Sequence, residues 1–196
     1  MADVFLDLGT HYGEGLGQFV GMFNINKTWT VHTFEANPTT FDIFVEHHLI
    51  KTPFAVAHNA AISNKDGYVQ LNIETPPNEG DTGQGSSIIS LDEWNPWDGS
   101  LRQNFQKEVT VPCIDLSRHI LDHFSKDDNI IVKMDIEGSE FDVFEVLIES
   151  GAIEYINKIY VEWHEHYFFN KEEMSQRKQA ILAKLSNYNI EHYNWH

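Results

Sequence analysis

The chain has 196 residues and a formal net charge of −17, with thirty carboxylates against thirteen Lys and Arg. The length fits one domain with one sizeable core, and the acidic excess sets aside nucleic acid and anionic membrane surfaces as expected partners. Cys113 is the single cysteine, so no internal disulfide forms; with no apolar run long enough for a bilayer and no basic leader ahead of the first strand, the expectation is a cytoplasmic protein.

The first predicted element is the apolar run Val4 to Leu8, interrupted by Asp7 and ending on Gly9. Leu16, Phe19, Val20 and Phe23 then repeat at helical spacing. Strand, glycine loop and helix form the opening unit of a nucleotide-binding α/β sheet. Gly9 and Gly13 allow positive φ and close approach of a ligand to the backbone, and the helix N-terminus favours polar or anionic groups.

Trp29 to Glu35 reads as a second strand ending in an acid, twenty-six positions beyond Gly9. At the C-terminal edge of a parallel sheet that carboxylate suits ribose hydroxyls. Asn37-Pro38 opens a helix with Phe41, Phe44, Val45, His48 and Leu49 on one face. Phe54 to His58 is a third strand. Asn59, Ala60 and Ala61 follow at its end, where a flat base has room and Asn59 offers a hydrogen bond to it. Tyr68 to Ile73 alternates as an antiparallel excursion off the main sheet.

Residues 75–108 lack sustained periodicity and carry Trp94 and Trp97. A loop this long inside a compact domain is commonly functional, and the stretch is read as a lid or acceptor-binding loop; the alternative is an Ω-loop with tryptophans packed beneath it. Val109 to Ile114 is read as an edge strand, because Pro112 is tolerated there. Asp115 caps the next helix. Asn129 to Asp135 is the fourth core strand, followed by Glu137, Gly138 and Glu140 and a helix that stops at Gly151. Lys158 to His164 is the fifth, with Glu162, His164 and His166 on one face. Asp135, Glu162 and His164 are candidate ligands for a divalent metal, although a metal-free site is the favoured reading. Lys171 to Leu185 forms the last helix, and residues 189–195 one short final strand.

Three blocks in this order resemble the FkbM family of S-adenosylmethionine-dependent methyltransferases: Phe5 to Gly13, Thr33 to Pro38, and Lys133 to Glu140. Weaker likeness lies in Ala61 to Gly67 and Ser86-Ser87, so the resemblance runs from Asp3 to about His164. It implies a single domain over 1–196 with a three-layer, Rossmann-like class I methyltransferase fold. The expected sheet is mainly parallel, in the order 3-2-1-4-5 plus a short final strand, and trimmed at both ends relative to the family. Carried onto this sequence, Asp7, Gly9, Thr10, His11 and Gly13 hold the methionine part of S-adenosylmethionine, Glu35 the ribose, and Asn59 and Ala61 the adenine. The implied reaction is O-methylation of a sugar or other small metabolite. Asp135 is the first candidate base by position, with Glu137 and His164 next. Methylation of an amine or carboxylate, a nicotinamide-dependent oxidoreductase and a non-catalytic cofactor-binding module are the alternatives.

Overall fold

The computed structural model describes residues 1–47, 49–74, 84–94, 105 and 107–195. Among them, β1 (Asp3–Leu8), α1 (Glu14–Phe23), β2 (Thr30–Phe34), α2 (Pro38–His47) and β3 (Ala55–His58) form the first half of the main sheet and its cover. Three further strands follow, β4 (Ala61–Ser63), β5 (Gly67–Ile73) and β6 (Lys107–Asp115). The second half comprises α3 (Leu116–His123), β7 (Asn129–Met134), α4 (Glu140–Ser150), β8 (Ile156–Val161), α5 (Lys171–Leu185) and β9 (Glu191–Asn194).

The main sheet has six strands in the order β3-β2-β1-β7-β8-β9, and every pairing is parallel. This is the expected core order with the final strand added beside β8. Alternation sorts the side chains to two faces. Val4, Leu6, Leu8, Ile130, Val132 and Met134 pack against Leu116 and Ile120 of α3, Phe141, Phe144 and Leu147 of α4, and Ile181 of α5. Phe5, Val31 and Ile131 pack against Leu16 and Phe19 of α1 and Phe44 of α2. Burial on both faces is why these strands are almost continuously apolar.

Local signals explain the helix ends. Asn37 Oδ1 accepts the N–H of Thr39 at the start of α2. Asp115 accepts the N–H groups of Ser117 and Arg118 at the start of α3. Gly151 takes the left-handed conformation that ends α4.

Three expectations are corrected. The strand carrying Cys113 is not an edge: β6 is the middle strand of a second sheet, β4-β6-β5. Pro112 fits because β4 pairs only with Cys113 to Asp115, beyond the proline. Val45 is exposed, so the buried stripe of α2 is narrower than its pattern. Finally, β8 ends at Val161 and a 3-10 turn covers Glu165–Tyr167. That turn breaks the two-residue period and leaves His166 exposed.

Of residues 75–108, Trp94 is fully buried, with its ring 5.2 Å from Tyr167 and 5.1 Å from Phe168. Trp97, Pro76, Pro77, Gly80 and Gly83 lie outside the described residues, as does His48. No helix among the described residues is long and apolar enough to cross a membrane.

Candidate functional site

The C-terminal ends of β1, β2, β7 and β8 meet over one cavity of about 370 Å³, within the roughly 300–1,000 Å³ usual for small-ligand sites. Parallel strands explain the convergence, since all end on the same side of the sheet.

After β1 the chain turns over the neighbouring strand ends. The N–H groups of Gly9 and Thr10 both donate to the Phe34 carbonyl at 3.0 Å. Gly9 has φ +75°, and a Cβ there would stand 1.7 Å from the Asp135 carbonyl oxygen. Only glycine lets β1 pass that close to the end of β7. Lys133 holds the crossing from below: its Nζ donates to the Gly9 carbonyl at 2.6 Å and ion-pairs with Asp135 at 3.2 Å and Asp7 at 3.6 Å. Burial lowers the Lys133 pKa, but Asp135 and Asp7 outweigh it, and the net shift is upward. Burial pushes the Asp7 carboxyl up, with Lys133 pulling the other way.

Glu35 ends β2 and is held at both oxygens. Oε2 accepts the N–H of His11 and Oε1 that of Asn37, each at 2.8 Å. Burial raises its pKa against those two donors. A carboxylate so fixed keeps lone pairs for a ligand's hydroxyl groups. Beside it, Ala60, Ala61, Ile62, Leu71 and Ile88 form an apolar wall, and Gln84, Gly85 and Ser86 close the same side.

The opposite end of the cavity is acidic. Asp135 and Glu137 follow β7, and Glu162 and His164 follow β8. The Glu162 N–H donates to the Met134 carbonyl, extending the alternation past β8 so that Trp163 faces the core and its neighbours the cavity. His164 Nδ1 lies 2.9 Å from Oε1 of Glu140, a fully buried carboxylate that also accepts the N–H groups of Ile136 and Gly138. Its Nε2 faces Glu137 at 3.6 Å, Asp135 at 3.8 Å and Glu162 at 3.9 Å. Burial disfavours the imidazolium, but Glu140 and Glu137 override it and push His164 up to about 10. Burial pushes Glu137 up to about 8, opposed by His164. The turn between is tight: Glu137 has φ +53°, and a Cβ on Gly138 would meet the Trp94 ring at 2.6 Å.

Gly9, Thr10, His11, Glu35, Ala61, Asp135, Glu137, Glu162 and His164 thus line one cavity. Asp7, Gly13 and Asn59 are not among its lining residues. Asp7 lies behind the loop against Lys133. Gly13 starts α1 in a left-handed conformation. Asn59 donates its side-chain amide to the carbonyls of Glu35 and Ala36, bracing the turn after β2. Sequence reasoning passed over Lys133, Tyr167 and Trp195. For Lys133 the signal was present: it is a cation inside an apolar strand, in register with Asp7.

Residues 7–190 match the family described as the methyltransferase FkbM domain. No curated protein matches the chain. Among solved structures, the methyltransferase FkbM from Methylobacillus flagellatus KT is similar, with a TM-score of 0.48 and 13% identity. That likeness covers 95% of this chain and 38% of the other, so the chain spans well under half of that relative's length.

Proposed function

The chain belongs to the FkbM methyltransferase family, and from that premise we propose that it methylates a hydroxyl of a small polar acceptor, a sugar being the expected class, with S-adenosylmethionine as donor. One observation carries the reading. A single cavity joins a glycine loop and a fixed, buried carboxylate at one end to a cluster of proton-accepting and metal-type side chains at the other.

The residues fit the donor. The loop comes close enough to β7 that a Cβ on Gly9 has no room. Glu35 presents acceptors suited to two ribose hydroxyls, and the alanine-lined wall suits a flat base. Bound there, S-adenosylmethionine supplies the methyl group as a sulfonium, which leaves as a neutral thioether. The chain's own task is to hold the two reactants in line and to take the proton that the acceptor hydroxyl loses.

Glu137 suits that second task by geometry. Asp135 is tied to Lys133, and Glu140 to His164 and two backbone N–H groups. The Glu137 carboxylate has no cation or N–H within hydrogen-bond distance among the described residues, its nearest being His164 Nε2 at 3.6 Å. It therefore replaces Asp135 as the first choice of base.

Calorimetry with S-adenosylmethionine and with NAD, followed by turnover of candidate polyhydroxyl acceptors, tests the proposal. Saturable binding of S-adenosylmethionine with methyl transfer to oxygen is expected. Binding of NAD instead, or cofactor binding without any transfer, overturns it.

A further inference from the structure

The His164 side chain is 3% exposed, and among the described residues its Nε2 makes no hydrogen bond, yet this atom is aimed at three carboxylates, 3.6–3.9 Å away. Its other nitrogen is anchored on Glu140. A carboxylate behind Nδ1 fixes the ring and leaves Nε2 as the donor, the arrangement that orients histidine ligands in metal sites. In front of Nε2, one donor atom each from Asp135, Glu162 and His164 lie within 4.8 Å of one another. We propose that Asp135, Glu162 and His164 bind one divalent cation at the acidic end of the cavity, with Glu140 as the positioning residue behind His164.

Charge and topology support the assignment. Asp135, Glu137, Glu140 and Glu162 crowd around His164, and among the described residues Lys133, which ion-pairs with Asp135, is shared with Asp7. In a partly dry cavity, carboxylates gathered this closely favour a cation between them. The donors come from the ends of adjacent strands, β7 and β8, so the sheet holds them together before any ion arrives. Two carboxylates and an imidazole suit a fairly hard ion such as manganese or magnesium. Three protein donors leave positions open toward the cavity, as in catalytic rather than structural sites. Resting on the function proposed above, those positions orient an acceptor oxygen and acidify its hydroxyl beside Glu137.

The test uses the full chain, stripped with a chelator and titrated with manganese chloride while the free ion is followed by electron paramagnetic resonance. Neither methyl donor nor acceptor is present, so the result is independent of the proposed reaction. One saturable ion per chain is expected. Glu162→Gln, at a side chain 34% exposed and nearly isosteric, should weaken it at least as much as the roughly 10–100-fold typical of losing an orienting partner. Glu140→Gln should fall within that range, with circular dichroism confirming that both variants are folded. Absence of a saturable site at millimolar manganese overturns the proposal. So does undiminished affinity in folded Glu162→Gln and Asp135→Asn, because the ion then sits elsewhere on an acidic surface. Manganese binding without methyl transfer to any acceptor supports the site and counts against the proposed function alone.

Discussion

Lys133 and Asp7 stand side by side in the β1–β7 ladder, with Nζ 3.6 Å from Oδ1 and exposures of 3% and 0%. A pair this deep is weak evidence of net stabilisation, but losing one partner strands the other charge. Lys133→Met should therefore destabilise the fold by about 3–5 kcal/mol in urea unfolding. Adding Asp7→Leu to that variant should recover most of the loss, since an apolar pair of similar volume suits the site. A Lys133→Met protein as stable as the unmodified chain would show that the ion pair carries no such role.

Gly9→Ala tests the crossing of the loop over β7. The added Cβ would stand 1.7 Å from the Asp135 carbonyl oxygen, and the backbone would keep φ +75°. The left-handed conformation alone costs on the order of 1–3 kcal/mol for a non-glycine residue, and the clash with backbone adds to it. Gly17→Ala is the control, because a Cβ there meets nothing within 4 Å and alanine favours a helix. Gly9→Ala is expected to lower the melting temperature and Gly17→Ala to leave it unchanged or raise it; equal melting of the two would refute the close approach.

The central position of β1 and β7 was legible because their composition reflects burial on both faces, whereas the order of the strands followed from the family resemblance. Runs such as Ile130 to Val132 and Val4 to Leu6 could only be central. The acids at the strand ends were legible for the same reason, as parallel strands deliver them to one edge. What escaped was pairing between residues far apart in sequence. Glu140 stood with Asp135 and Glu137 at the end of a strand, but only the fold brings it to His164. Pro112 suggested an edge, but β4, three residues long, pairs beyond it and makes β6 central. His166 kept the two-residue period on paper, and a 3-10 turn removed it from the cluster.

Glu35 provides a test at the donor end. Each of its oxygens already accepts a backbone N–H, so Glu35→Ala would release the loop as well as the ligand. Glu35→Gln keeps one acceptor and the shape. It should weaken S-adenosylmethionine binding by roughly 1.5–3 kcal/mol, the value of a hydrogen bond to a charged group. Calorimetry at neutral pH measures this, and unchanged affinity would remove Glu35 from the site.

Acid sensitivity should come from the face of the sheet that α3 covers. His32 and His58 stack with centroids 5.1 Å apart and share a hydrogen bond of 3.1 Å, and His119 approaches His32 edge-on at 5.1 Å. His123 stacks on His119 at 4.5 Å. Burial first, then the neighbouring histidines, lowers His32 and His119 to about 4, and His58 shifts the same way. Folded imidazoles with depressed pKa bind fewer protons than the unfolded chain below about pH 6.5. The stability that these imidazoles contribute is therefore complete above that pH and falls as pH drops from about 6.5 toward 4. His119 is 7% exposed, and its Nε2 is buried without a hydrogen-bond partner, so His119→Phe removes a titrating group while filling similar space beside Phe34 and Phe124. As pH is lowered from 7.5 to 5, the urea midpoint of the variant should gain on that of the unmodified chain. Glu137, raised to about 8, and His164, raised to about 10, work in the opposite sense over this range, but both proteins carry them, so the difference between the two profiles belongs to His119. Parallel profiles for the two proteins would show that His119 contributes no acid sensitivity.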